Sequence, residues 1–437
     1  NEAKKTRLLL ATDESRGTVG VSGKVKNPAL LRDALATASA VLASDLRYRG
    51  KDRTAYLAYL MKQGKKATAQ IWEAQKQFLE ESLAGEKQKE SVLDPILTVD
   101  PDQVSLEVFS KDESAYARLA LDNSLFEGRA AAHGSTHADL PVELLADIDR
   151  VRTYVPLELD VGAKPQGSKK GEPRALEVPF AWLRGFLQVQ SAATLPANEV
   201  ELAPVDLYNV LFALRTRKAK VVPRALRFEL IPGAQPRLVI EPFEIVLECH
   251  GPKYAGSHPQ VVRTFGRQRL LALQRLLPHA KRVRARLLGP GLPVFWTIDM
   301  GLASLTVGLT GWSESGWSSS ASFDALMPTG DSAALAAEAR AMLLREGPRS
   351  PAELVSGLGA SIESVRAAMQ LECLRGRALY DLGEGRYRPR SLLADAIDET
   401  TIRFGNPREE RAHRLLGTQG AGAQAGGTGE IKVTKVH

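Results

Sequence analysis

Ser135, Thr136, His137 and Asp139 bring two hydroxyls, an imidazole and a carboxylate together, the side-chain types of an acyl-transfer triad. Such a triad is assembled in space around a nucleophile elbow and an oxyanion hole, not from neighbours in sequence. No G-x-S-x-G occurs in the chain, so a hydrolase gains no support from this cluster. His133 and His137 stand four apart, but Gly134 and a turn-like context argue against one helix presenting both. Cys249, His250 and His258 are a third candidate, as thiolate and imidazole are zinc ligands. A structural zinc site needs four ligands, and no second cysteine pair lies nearby. Neither G-x-x-x-x-G-K-[ST] nor G-x-G-x-x-G occurs, so no loop is marked for cradling phosphate. The residues therefore predict no catalytic group, no metal and no cofactor in this chain, and a non-enzymatic protein.

Charge carries more. From Cys249 to Ile298 there is no Asp and no Glu, while nine Lys and Arg fall in the same 50 residues. That exceeds the net charge of the whole chain, +7 from 58 Lys and Arg against 51 Asp and Glu, so the rest is slightly acidic. Concentrated positive charge favours an anionic partner. Within the window Val261–Leu277 reads as a helix with Val262, Phe265, Leu270, Leu273, Leu276 and Leu277 on one side. Arg263, Arg267 and Arg275 lie on the other, Arg269 awkwardly between. Lys281 and Arg282 extend that basic face. Arg215, Arg217, Lys218, Lys220, Arg224 and Arg227 form a second cluster. Single-stranded binders add aromatic stacking platforms to such charge, and the window offers only Tyr254, Phe265, Phe295 and Trp296. A solvated face or a dock for an acidic protein is the competing reading.

The elements that must position these residues alternate in type. Thr6–Ala11 and Thr18–Val25 read as strands around a turn, followed by helices at Pro28–Leu46, Arg53–Lys62 and Lys66–Leu83. Val104–Phe109 and Tyr116–Leu121 alternate as half-buried strands do, then come a short helix at Pro141–Val151 and a strand at Val155–Val161. Gly162–Pro173 has linker composition. Phe180–Gln190 and Ala203–Arg215 read as helices, the second turning Val205, Tyr208, Leu211 and Leu214 inward. Strands are expected at Arg224–Leu230, Arg237–Leu247, Val283–Leu288, Val294–Asp299 and Ser304–Gly308, and Trp312 and Trp317 as loop or core anchors.

The clearest local pattern is Asp331–Leu393. Ala333–Leu344 is helical, Ser350-Pro351-Ala352-Glu353 is a capping box, Ser361 caps a third helix, and Leu379–Leu382 and Arg386–Arg390 flank a Gly-Glu-Gly turn. Three helices and a hairpin are a winged-helix arrangement. Its third helix would offer Ser361, Glu363, Ser364, Arg366 and Gln370 to a groove, and its wing Arg386, Arg388 and Arg390; a winged helix that only packs against protein is the competing reading. The expected fold is α+β and multidomain, with mixed helices and antiparallel strands: an N-terminal domain at 1–162, a central domain with the basic region at 174–328, a winged helix at 331–393, and a linker with the start of another module at 394–437. Two distant cysteines and no 20-residue apolar run point to a reduced, cytoplasmic protein with no membrane span and no signal peptide. Gly417–Gly429 holds six Gly and three Ala, Ile431–Val436 alternates like a first strand, and residue 1 is Asn rather than Met, so further sequence is expected on both sides.

Several stretches carry a resemblance. They are Pro179–Ala192 (PFAWLRGFLQVQSA), Pro204–Leu207 (PVDL), Phe265–Leu270 (FGRQRL) leading to Leu288–Pro293 (LGPGLP), and Leu305–Trp312 (LTVGLTGW), with weaker echoes at Tyr116–Arg118 and Gly134–Thr136. The chain resembles bacterial SWIM zinc-finger family proteins over most of Arg118–Pro328, in the region preceding the zinc finger. The C-x-C…C-x-H module is absent, so zinc is implied only for a C-terminal module and no ligand falls on a residue here. The resemblance implies an adaptor or scaffold in a MoxR-type AAA ATPase and von Willebrand A-domain system, in cellular conflict or defence. The alternative is direct DNA or RNA binding through the winged helix and basic region.

Overall fold

The computed structural model describes residues 6–10, 19–45, 95–138, 140, 147–162, 180–311, 316–317 and 333–390. The helices expected at Arg53–Lys62 and Lys66–Leu83, nearly all of the linker at Gly162–Pro173, Asp139, Trp312 and the segment from 394 onward lie outside them. The fold is α+β, with mixed helices and mainly antiparallel sheets.

Among the described residues one unit recurs: a strand, a helix, then three strands. It is first built by β2 (Gly20–Val25), α1 (Pro28–Ala43), β3 (Ile96–Val99), β4 (Gln103–Phe109) and β5 (Ala115–Asp122). It recurs as β9 (Asn198–Leu202), α3 (Pro204–Thr216), β10 (Leu226–Leu230), β11 (Arg237–Ile240) and β12 (Ile245–Glu248). The third copy is β13 (Gln260–Thr264), a 3-10 helix (Arg267–His279), β14 (Arg282–Leu287), β15 (Val294–Asp299) and β16 (Ala303–Leu309). The last two copies exchange first strands, β9 pairing with β14 and β13 with β10. The first copy makes the same exchange with β7 (Gly134–His137) and β8 (Leu157–Val161): β7 pairs with β3 and β8 with β2. The remaining described strands of that half are β1 (Thr6–Leu10), parallel to β8, and β6 (Phe126–Ala132), beside β2.

The halves at 6–162 and 180–311 share a sheet, because β5 pairs with β16 along seven residues. The result is one eight-stranded sheet, β7-β3-β4-β5-β16-β15-β14-β9. The boundary expected near 162–174 thus divides the chain but not the sheet, and one hydrophobic core runs from Leu8 to Leu309.

On one face lie α1, the 3-10 helix and α3. Asn27 caps α1, accepting from the Leu30 N–H at 3.1 Å, and Leu30, Leu31, Ala34, Leu35, Ala38 and Val41 are its buried stripe. The other face is covered by α2 (Phe180–Thr194). Its Phe186 meets Phe109 edge-on at 4.8 Å and Tyr116 at 6.0 Å, with Phe295 and Trp317 in the same cluster. Such aromatic pairs add about 0.5–1.5 kcal/mol beyond area burial. Against α2 packs the C-terminal module: α4 (Ala333–Glu346), α5 (Pro351–Leu358), α6 (Ile362–Leu374), and the hairpin β17 (Ala378–Asp381) and β18 (Arg386–Pro389). The capping box forms as expected, with Glu353 N–H donating to Ser350 at 3.3 Å and Ser350 N–H to the Glu353 carboxylate at 2.7 Å.

Three expectations change. The segment read as one helix, Val261–Leu277, is a strand and a 3-10 helix separated at Gly266, whose φ of 78° breaks the run. At three residues per turn, Arg267, Leu270, Leu273 and Leu276 fall in line and are buried together. Arg237–Leu247 is a hairpin, β11 and β12, not one strand. The first two strands do not pair with each other, because β8 lies between them.

Candidate functional site

The eight nominated basic residues do not form one surface. Arg388 is 0% exposed and Arg390 4%, so neither faces solvent from the hairpin. The polar face of the alternating strands β4 and β5 holds them instead. Arg388 donates to Asp381 at 2.9 Å and Asp102 at 2.8 Å, and Arg118 of β5 pairs with Asp381 at 3.0 Å. Arg390 pairs with Glu107 of β4 at 2.7 Å and lies 5.0 Å over the Phe186 ring. The hairpin turn is also tied down, since Arg284 of β14 donates to the Leu382 and Gly383 carbonyls at 3.3 and 2.5 Å. Burial alone would raise the Asp381 carboxyl, but Arg118 and Arg388 outweigh it and hold it below the usual carboxylate range. Tyr116 moves the other way, pushed up by burial and by the Glu107 charge. Arg386 remains partly exposed, 3.8 Å from Glu353.

Much of the charge of the acid-free window is neutralised from outside it. Arg263 pairs with Glu241 at 3.0 Å, Arg275 with Asp149 at 2.6 Å, Arg282 with Asp299 at 2.7 Å and Arg286 with Glu199 at 2.6 Å. Arg269 is buried against Asp112 and Ser114, and Arg267 is buried against the Ala225 and Glu241 carbonyls. Burial lowers the Arg267 guanidinium, helped by the like charge of Arg224. Lys281 is exposed, with no carboxylate partner among the described residues.

The other candidates settle locally. Ser135 shares a 3.0 Å hydrogen bond with Thr98, and β7 holds Ser135 through His137 in extended pairing with β3. His250 leans on Asp206, Nδ1 to Oδ1 at 2.7 Å, and burial followed by the Asp206 charge pushes the Cys249 thiol up to about 12. Among the described residues no group of three or more His, Cys, Asp or Glu is placed to hold a metal. No helix among them is long and apolar enough to cross a membrane. Trp317 is buried, stacked on Phe295 at 5.9 Å.

The exception is the last turn of α3 and the segment joining it to β10. Arg215, Arg217, Lys218, Lys220 and Arg224 are all exposed, and none has a carboxylate partner among the described residues. Among the described residues, Arg217 alone of these has an aromatic contact, 5.9 Å over Phe243. Arg227, the sixth member of the expected cluster, is drawn into pairs with Glu241 at 2.6 Å and Glu244 at 2.9 Å. α3 leads into this segment and was expected to turn Val205 and Tyr208 inward. Instead Leu207, Val210, Leu211 and Leu214 form its buried stripe, and Val205, Tyr208 and Phe212 face outward. Tyr208 is 47% exposed and Phe212 50%, with rings 6.4 Å apart and only 19° from parallel. Asp206 fixes the helix start, accepting from the Ala203 N–H at 2.9 Å. The cations were legible in the sequence, and the aromatic face beside them was not, since both helix stripes are apolar.

No protein-family profile and no curated protein matches the chain. Among solved structures it is similar to proliferating cellular nuclear antigen from Entamoeba histolytica, with a TM-score of 0.41, 10% identity, and coverage of 67% of this chain and 99% of that one. It is also similar to A. fulgidus PCNA bound by the C-terminal region of FEN-1, with a TM-score of 0.38, 10% identity, and coverage of 68% and 99%.

Proposed function

We propose that this chain is a non-enzymatic scaffold that takes an anionic partner on the segment from Arg215 to Arg224. One observation carries the reading: five exposed cations there have no carboxylate partner among the described residues, while most other nominated cations are ion-paired or buried. Long-range attraction comes from charge that is not already neutralised at contact distance.

The C-terminal module is read as a winged helix whose wing is turned onto the body. Arg388 and Arg390 are then fastenings rather than nucleic-acid contacts. The resemblance supplies the wider role, an adaptor between a MoxR-type ATPase and an A-domain protein.

The test is retention on immobilised heparin. Five contacts should give an affinity falling by about two orders of magnitude from roughly 50 to 200 mM salt. Lys218→Glu/Lys220→Glu should elute at clearly lower salt, and Arg263→Ala/Arg275→Ala close to the parent. Equal elution of all three proteins would refute the assignment.

A further inference from the structure

We infer that the partner at this face is a single-stranded nucleic acid, its bases lying on Tyr208 and Phe212 and its phosphates running along Arg215–Arg224. The inference rests on the scaffold reading and names the chemistry of its partner.

Three observations lead there. First, the rings and the nearest cation share one helix face: Val205, Tyr208, Phe212 and Arg215 recur at spacings of three, four and three, all exposed. A strand crossing the rings therefore meets Arg215 next and then Arg217, Lys218 and Lys220. Second, the two half-exposed rings form a stacked pair, 19° from parallel with centroids 6.4 Å apart, a small aromatic platform. Every base has a flat face that such a platform accepts, so the contact needs no particular sequence. Third, the platform is the outer ridge of α3, opposite the stripe through which the helix packs. An acidic amphipathic helix docks into a groove; a convex ridge of two half-exposed rings suits unpaired bases better. A duplex keeps its bases stacked inside and would engage the cations without the rings.

The experiment uses the whole chain and fluorescence anisotropy of a labelled oligothymidylate, with a duplex of equal length and polyglutamate as comparison ligands. The single strand should bind at least about tenfold tighter than the duplex. Tyr208→Ala/Phe212→Ala should weaken the single strand by about tenfold or more, since each stacked base counts for a factor of that order. The same variant should leave polyglutamate binding and the thermal melt unchanged, and Tyr208→Trp/Phe212→Trp should restore strand binding. Strand and duplex binding alike, or an alanine variant that binds the strand as the parent does, would overturn the inference. Polyglutamate binding without strand binding would overturn it too, while leaving the anionic-partner reading standing. Loss of every polyanion from the parent protein would remove both.

Discussion

Three arginines of one hairpin look equivalent in sequence and differ by position. β18 alternates, yet Arg388 is wholly buried among Asp381, Asp102 and Glu384, while Arg386 stays partly exposed near Glu353. Removing one partner of a buried ion network leaves uncompensated charge, at about 3–5 kcal/mol. An exposed pair contributes about 0–1 kcal/mol. Arg388→Ala should therefore lower stability by several kcal/mol in urea unfolding, and Arg386→Ala by less than about 1 kcal/mol. Similar losses for the two would show that the hairpin is not fastened as described.

At the scale of elements, α2 and the hairpin cover the polar side of β4 and β5. The alternation of these strands was legible, but it signalled a buried polar layer rather than a solvated face. Gln103, Ser105, Glu107 and Arg118 point into that layer and are all buried. The fastening is titratable. Asp381 has a folded pKa below its unfolded value of about 3.9, so its contribution is complete above that pH and is lost as pH falls through the lower folded value. Asp100, which burial pushes up more than Arg388 and Arg118 pull down, acts in the opposite sense but sits at the edge of the network. Hydrogen exchange over residues 333–390 should accelerate relative to the eight-stranded sheet as pH is taken below about 4, after correction for intrinsic rates. Asp381→Asn should flatten that dependence. An unchanged ratio across the range would separate the module's docking from Asp381.

For the whole molecule, the decisive join is β5 with β16. Each is the third strand after the helix of its unit, and their pairing turns two halves into one sheet. A fragment ending near residue 162 would leave the seven paired residues of β5 as an open apolar edge, a template for association. Such a fragment should give poorly dispersed amide resonances or aggregate, and co-expression with residues 163–437 should rescue it. A folded, monomeric fragment would mean that each half is stable alone.

The sequence by itself determined the local facts: the caps at Ser350 and Ser361, the strand alternations, the three helices and hairpin at the C-terminal end, and the cations from Arg215 to Arg224. These depend on neighbours within a few residues, where spacing and backbone preference dominate. Only the tertiary structure decided which charges are free. Asp149, Glu199, Glu241 and Asp299 reach the acid-free window from elsewhere, and Asp381 reaches Arg118 across more than 260 residues. Ion pairing depends on distance in space and on solvent exclusion, and neither is written in the linear order of charges. The same holds for α3, where two apolar stripes compete and the packing of the 3-10 helix and sheet selects Leu207, Val210, Leu211 and Leu214, leaving Tyr208 and Phe212 outside.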